Sequence, residues 1–526
     1  MKQKTGQATN TLKPRALQYS PLQPQVPGAA PMHIMAPTKR VPLVKGGTPL
    51  SQHQSYTRFY TLVSYLLMLT FVLGQLYLIF TQRTGAFYDE AIYITAGLRA
   101  WQGKGVSDGY LVWFAGSLLW PLMAGIGYLL NGLIGVRIIA LLLSSIALWM
   151  SYATAKNLFG VKAACFTALL LILDGNFLAL AHLGVYDSPA LAFTAISLWC
   201  VTQLQKKDHR AWLCLSAIAL ALAAMSKYPI TLMILPILGL LFTFRQKKFL
   251  ADLGVFLFVF VGVFFAFFLP VQYQVGDWLF WSIRNKPTFG ATMLTIVGAQ
   301  LYFGLASFIL AFLGFLLAPR KKEALVLLLC GLIWPAYHIL SSNPVSDNKH
   351  VVFGFLFTYP LLGLFFAQVW QKKWFGKPLI GLLCLACTYI GVFQYMVLDP
   401  SWPDVREPSA YLVAHTRPGD LLLINDAWPY TMYLYANQKI ATPWQVYDNN
   451  RISNHENTTS ICNFTWYIDE KGSYPWSETF LKQLRACHTF VPVYHYTSNA
   501  IGLTSDLHYV QYPVVTTIYI NVHANR

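Results

Sequence analysis

"YLVWFAGSLLWPLMAGIGYLLNG", residues 110–132, is apolar enough to cross a bilayer, and whether it crosses fixes the side on which every later loop lies. Around it the sequence predicts eleven spans, near 59–80, 133–155, 163–183, 189–205, 211–226, 229–244, 250–271, 294–317, 324–341, 351–370 and 378–398. Each approaches or exceeds the roughly 17–20 apolar residues that cross as a helix. If 110–132 stays on one side, the cytoplasm receives residues 1–58, Lys156 with Lys162, and the loops "QKKDHR", "RQKK", "PRKKE" and "QKKWFGK". Those segments hold 22 of the 38 Lys and Arg, against two acidic residues, Asp208 and Glu323. If 110–132 crosses, the later basic loops all move outside while the basic leader stays inside. Short-loop Lys/Arg bias sets orientation, so the first arrangement is expected. Residues 85–131 then form an outer juxtamembrane segment of helices lying along or dipping into the interface, where Trp101, Trp113 and Trp120 are at home.

Composition agrees. The 526 residues are 56% hydrophobic and 11% charged, where a soluble domain carries about 25% charged residues. The chain reads as a polytopic α-helical membrane protein with about 11 transmembrane helices. Residues 1–57 read as a disordered, basic, Pro-rich cytoplasmic leader rather than a cleaved signal. The net charge of +17 reflects loop cations that set orientation, so no nucleic-acid partner is expected. Cys165, Cys200, Cys214, Cys330, Cys384 and Cys387 lie in apolar runs and read as small core hydrophobes. Cys384 and Cys387 form a C-x-x-C inside a span with no second pair, which argues against zinc. Cys462 and Cys487 lie in the polar tail, where an oxidising compartment would allow them to pair.

The tail, residues 399–526, is expected to be an extracytoplasmic soluble domain of α/β or α+β type. "PSAYLVAHTRPG" reads as helix, and "DLLLIND", "HTFVPVY" and "VVTTIYINV" as strands. Two glycosylation sequons, at Asn457 and Asn463, matter only where the host modifies that side.

With this topology the first carboxylates of the chain, Asp89 and Glu90 in "TGAFYDEAIYITAG", face outward at the membrane boundary. Asp187, Arg137, Lys227, Asp277, Arg284, Lys286, Asp347, Lys349 and His350 fall on the same face. A charged helix end is usually a solvated anchor, and that reading suits Asp277, Arg284 and Lys286. Asp or Arg toward a helix centre costs about 2.5–3.5 kcal/mol on insertion scales, so Asp187 and Arg137 need a partner or a task. Asp174, within "LILDGNFLAL", is the most deeply placed carboxylate; it is either functional or a helix-packing partner. Adjacent helical residues diverge by about 100°, so Asp89 and Glu90 cannot aim at one atom. One is expected to do chemistry while the other holds the loop by pairing with a cation. A lipid-linked donor suits such a rim: its phosphate needs Arg or Lys, and a hydroxyl acceptor needs a carboxylate to take its proton. Cations can stabilise the leaving phosphate without a general acid.

These residues carry a resemblance. The chain is similar to the GT-C superfamily of polyprenyl-phosphate-sugar glycosyltransferases, in particular the family 39-like group related to protein O-mannosyltransferases and lipid A aminoarabinose transferases. The motifs are "FYDEAIY" in the first outer loop, "WPLMAGIGYLLNGLIGVRIIALLLSSIALWMSYATAKNLFG" with its Arg at a span start, "YDSPALAF", "ALALAAMSKYPITL" and "DNKHVVFGFLFTYPLLG". They cover most of residues 59–400. The resemblance implies a GT-C-like catalytic domain over 58–398, with Asp89 as base, Glu90 supporting it and Asp187 organising the site. Arg137, Lys227 and Lys349 become donor-phosphate or structural cations, and Tyr93 and His350 join them as substrate-binding residues. The implied reaction is inverting transfer of a hexose or pentose to a hydroxyl on a protein, lipid or polymer at the outer face of the plasma membrane. Two departures bear on this. "GKGVSDGYLVW" stands where aminoarabinose transferases have an acidic residue, a Lys and paired prolines, which weighs against a lipid A acceptor and against a divalent cation, the one cofactor left open. The Trp-Trp-Asp of oligosaccharyltransferases is missing, which disfavours block transfer of a glycan to Asn. The alternative is a transporter or lipid-linked-sugar flippase, but such folds place ionisable groups near the midplane and often show inverted repeats. Here the charges gather at one interface.

Overall fold

The computed structural model describes residues 50–81, 85–104, 117–206, 209–269, 293–341, 347–372, 374–398, 402–448, 460–471, 478–503 and 509–523. Residues 53–526 form one compact unit; of residues 1–52, only the start of α1 is described. The leader before Leu50, Trp113, Asp208, Asn457, Asp277, Arg284 and Lys286 lie outside the described residues.

A helix begins the fold, α1 (Leu50–Thr81). It is followed by α2 (Tyr88–Trp101) and α3 (Leu119–Phe159). Helix α3 is broken at Asn131 and Gly132, where Gly132 takes φ 55°, a left-handed conformation that glycine adopts without steric cost. The break separates 119–130 from 133–159, the place where the sequence divides an interfacial helix from a span. Helix α2 lies directly on the first half of α3. A side chain at Gly97 would strike the Pro121 carbonyl and the Gly125 backbone, so two glycines set this close approach.

Next come α4 (Val161–Leu173) and α5 (Gly175–His182), bent by 71° at Asp174. Then follow α6 (Asp187–Gln203), α7 (Arg210–Ser226), a 3₁₀ turn over Tyr228–Met233, α8 (Ile234–Arg245) and α9 (Phe249–Phe268). The series ends with α10 (Met293–Leu317), α11 (Lys321–Gly331), α12 (Ile333–Ser341), α13 (Asp347–Val369) and α14 (Gly376–Leu398). A helix stands at each of the eleven expected positions. By length and composition, six helical stretches among the described residues could cross a membrane, or eight if each bent pair is one span. That count differs from eleven because α6 and α7 have 17 residues each, and Tyr228–Phe268 counts once despite a second 3₁₀ turn, Gln246–Lys248, between α8 and α9.

Burial ranks these helices. The apolar window of α13 is wholly buried, whereas those of α1, Tyr228–Phe268 and α14 are 22%, 17% and 17% buried. A helix apolar all round belongs in a core, and α13 is that core. Phe59, Leu62, Leu66 and Leu73 on α1, and Leu382 and Leu385 on α14, present exposed apolar faces suited to lipid.

The tail contains α15 (Arg406–His415), β1 (Leu422–Ile424), α16 (Ala427–Ala436), β2 (Val446–Tyr447), β3 (Trp466–Lys471), α17 (Glu478–Cys487), β4 (Phe490–Leu503) and β5 (Tyr509–Asn521). Its sheet has the order β2-β1-β3-β5-β4. β2, β1 and β3 are parallel, and β5 runs antiparallel to β3 and β4. Cys462 and Cys487 are bonded, tying the segment before β3 to the end of α17. Helix α16 packs on α2, and Tyr411 of α15 stacks on Tyr494 of β4 with ring centroids 4.6 Å apart. The tail is therefore joined to the helical part in the same compact unit.

Candidate functional site

The site forms where four helix ends meet. Asp89 and Glu90 occupy the first turn of α2, where the helix dipole favours negative charge. On the helix they diverge, as adjacent residues must, and they meet different partners. Glu90 is fully buried. Its Oε1 accepts from Arg137 Nε at 3.0 Å and from the Gly184 amide at 2.6 Å. Its Oε2 accepts from Arg137 Nη2 at 2.9 Å and from the Phe87 amide at 2.8 Å, the backward half of a capping box. A buried charge persists only when paired and hydrogen-bonded, and Glu90 meets both conditions. Arg137, 3% exposed, also donates to the Gly85 carbonyl at 3.0 Å. The structure thus places Arg137 on a carboxylate and a backbone carbonyl rather than on an open surface.

Asp89 faces the other way. Lys349 Nζ, in the first turn of α13, donates to Asp89 Oδ2 at 2.7 Å and lies 4.6 Å from the centre of the Phe87 ring. A cation at a helix N-terminus is opposed by the helix dipole, so the carboxylate offsets a real penalty. The Asp89 side chain is 25% exposed, against 7% for Lys349, so the carboxylate is the accessible member of the pair.

A second pair stands beside it. Lys227 caps the C-terminus of α7, a favourable end for a cation, and its Nζ donates to Asp187 Oδ1 at 2.5 Å. Lys227 also sits 4.4 Å from the Tyr186 ring centre and 5.7 Å from that of Phe353. The turn that carries Asp187 is held by Trp120, whose Nε1 donates to the Gly184 carbonyl at 3.0 Å. Ser117 donates to the Ser226 carbonyl, tying the start of α3 to the residue before Lys227. Asp187 is 1% exposed, and its Oδ2 has no hydrogen-bond partner among the described residues. Each lysine interacts electrostatically with both carboxylates, Asp89 and Asp187, so the two pairs make one four-charge cluster. At interior dielectric such charges act on one another far more strongly than in water.

Tyr93 lies one helical turn beyond Asp89, fully buried, with its ring edge-on to Tyr186 at 4.9 Å. Tyr186 is the residue before Asp187. His350 follows Lys349, and its Nδ1 is 2.8 Å from Nε2 of the fully buried His338. The Trp334 ring packs on His350 at 4.6 Å. His350 Nε2 has no hydrogen-bond partner among the described residues. The structure thus brings Asp89, Asp187, Lys227, Lys349 and His350 together and sets Glu90 and Arg137 behind them. Asp174 is elsewhere. It caps α5, accepting from the Phe177 amide at 2.8 Å and from the Tyr359 hydroxyl at 2.7 Å, which ties the start of α5 to α13.

Sequence reading did not single out Gly184, His338, Trp334, Trp402 or Asp404. Trp402 packs on Phe87 with ring centroids 4.3 Å apart, and Asp404 Oδ1 accepts from the Gly85 amide at 3.0 Å. The signal for Trp402 and Asp404 was "SWPD", an aromatic and a carboxylate that follow closely on the last predicted span. For a divalent cation, the described residues offer no group of three or more His, Cys, Asp or Glu that could hold one. In the cluster each carboxylate is already paired with a lysine.

Residues 116–273 match the protein family described as dolichyl-phosphate-mannose-protein mannosyltransferase. That stretch contains Arg137, Asp187 and Lys227 but neither Asp89 nor Lys349. A search of curated proteins finds no match. Among solved structures, ArnT from Cupriavidus metallidurans bound to undecaprenyl phosphate aligns with TM-score 0.51 and 14% identity, over 86% of this chain and 97% of that one. The archaeal oligosaccharyltransferase AglB from Archaeoglobus fulgidus, in complex with an inhibitory peptide and a dolichol-phosphate, aligns with TM-score 0.51 and 12% identity, over 88% of this chain and 74% of that one.

Proposed function

The chain has the GT-C fold, and from that premise we propose that it is a membrane glycosyltransferase. It takes a sugar from a polyprenyl-phosphate donor and passes it to a hydroxyl acceptor on the extracytoplasmic face. The observation that carries this reading is the four-charge cluster of Asp89, Lys349, Asp187 and Lys227 at the ends of α2, α13, α6 and α7. It combines an accessible carboxylate with two cations, the set that transfer from a phosphate ester needs. The solved relatives bind undecaprenyl phosphate and dolichol-phosphate, which supports the donor class.

In this mechanism the acceptor oxygen attacks C1 of the sugar while Asp89 takes the hydroxyl proton. The bond from C1 to the phosphate oxygen breaks, and its electron pair leaves on the polyprenyl phosphate. Lys349 and Lys227 stabilise the charge that develops there. A single displacement inverts the anomeric centre. Asp187 holds Lys227 in place, and its unpartnered Oδ2 is suited to accept from a sugar hydroxyl. Glu90 and Arg137 position Asp89 from behind.

The test uses purified protein with a panel of polyprenyl-phosphate hexoses and pentoses. Asp89→Asn is expected to abolish transfer while donor binding persists; full activity in that variant refutes the base assignment. Labelling of single cysteines at the outer loop and tail decides sidedness, and cytosolic labelling overturns the topology. Proton- or ion-driven flux in vesicles without glycoside formation would favour the transporter reading.

A further inference from the structure

The three residues that lead into the first turn of α2 are held by the tail as well as by the helices. The Gly85 amide donates to Asp404 Oδ1 at 3.0 Å, while its carbonyl accepts from Arg137 Nη2 at 3.0 Å. Asp404 is itself fixed by the Arg406 guanidinium, which reaches both carboxylate oxygens. The Tyr433 hydroxyl of α16 lies against Gly85 and interacts with the Ala86 backbone. Phe87 is packed between two partners, the Trp402 ring at 4.3 Å and the Lys349 ammonium at 4.6 Å. Lys349 in turn holds Asp89. A continuous series of contacts therefore runs from Trp402 and Asp404 to the carboxylate.

We infer that Trp402 and Asp404 are positioning residues for Asp89, and that the start of the tail completes the active site. This rests on the reading of Asp89 as the base. The physical reason is mechanical. Asp89 lies four residues after Gly85, at a helix start where backbone amides have no intrahelical partners. Without Asp404 the Gly85 amide loses its acceptor, and without Trp402 the Phe87 ring loses one of its two flanking partners. Both changes free the entry to α2 on the side away from Glu90, so Asp89 and Lys349 lose register while the Glu90–Arg137 pair remains. Small displacements of a reacting group are costly: about 1 Å is worth on the order of 100-fold in rate.

The experiment uses the full chain in nanodiscs with the same donor panel, reading release of polyprenyl phosphate. Asp404→Ala is expected to lower kcat by about 10- to 100-fold with donor KM changed by less than about threefold. Asp404→Asn keeps a carbonyl acceptor for the Gly85 amide and is expected to restore most of the rate. Without substrate, hydrogen exchange at residues 85–87 is expected to be faster in Asp404→Ala than in the parent, with exchange across α6 unchanged. Unchanged kcat, or unchanged exchange at 85–87, in folded Asp404→Ala overturns the inference. If that variant does not fold, Trp402→Leu against Trp402→Phe is read by the same two measurements. A parent protein that turns over no donor refutes the functional reading instead, and the exchange result still decides whether the tail grips the loop.

Discussion

Glu90 and Arg137 meet through two parallel hydrogen bonds, 3.0 and 2.9 Å long, with both side chains almost completely buried. The pair fastens the start of α2 to α3, and through the Gly184 amide it also fixes the turn that carries Asp187. One carboxylate thus sets the spacing between the two acidic residues of the candidate site, Asp89 and Asp187.

Removing one partner of this pair should be costly. Glu90→Ala leaves Arg137 without its carboxylate and two backbone amides without their acceptor. Losses of about 3–5 kcal/mol are typical when one member of a buried pair is deleted. The check is thermal unfolding in detergent, where Glu90→Ala should melt well below the parent and Glu90→Gln should fall between them.

Asp89→Asn should behave differently. The amide keeps the shape of the side chain and an oxygen for Lys349, so folding should be unaffected. Transfer should fall by about 100- to 10,000-fold, the range that a positioned acid or base contributes. Single-turnover kinetics with bound donor would separate this from a binding defect.

The two lysines should act on the phosphate end of the reaction. Lys227→Met and Lys349→Met each remove one cation from beside a carboxylate, so both variants should raise donor KM and lower kcat. Steady-state kinetics with varied donor, measured on both folded variants, check this.

The tail should lose stability with rising pH. Burial, with Asp426 nearby, pushes the Glu470 carboxyl up to about 8, even though Tyr430 donates to it at 2.6 Å. The folded state therefore holds a proton that the unfolded chain releases at its ordinary value of 4.5. Stability from this group is fully present below that value and is lost as pH rises through the folded value near 8. Melting of the tail followed from pH 5 to 9 should show the decline, and Glu470→Gln should flatten it.

Helix positions, the break at 131–132 and the strands at 422, 490 and 514 were legible because they rest on local rules, apolar length and alternation. The charged residues at 89, 187, 227 and 349 were legible because burial of an ion in an apolar chain demands an explanation. What stayed hidden was pairing. The sequence offered Arg137, Lys227 and Lys349 as equivalent cations, and only three dimensions separate Arg137, committed to Glu90, from the two lysines of the cluster. Strand β3 was missed because "WYIDEK" does not alternate, its residues being buried on both faces between β1 and β5. Trp402 and Asp404 were missed because their contact with residues 85 and 87 spans more than three hundred positions.

Helix α13, enclosed around its whole circumference, bears on how this protein can vary. A helix that borders lipid can exchange one apolar residue for another on its outer side with little effect. Helix α13 has no outer side, and each position from 351 to 364 is flanked by neighbours at packing distance. A saturation scan should therefore find an unbroken band of intolerance along α13, with the stripe every three or four residues that marks lipid contact appearing instead along α1 and α14.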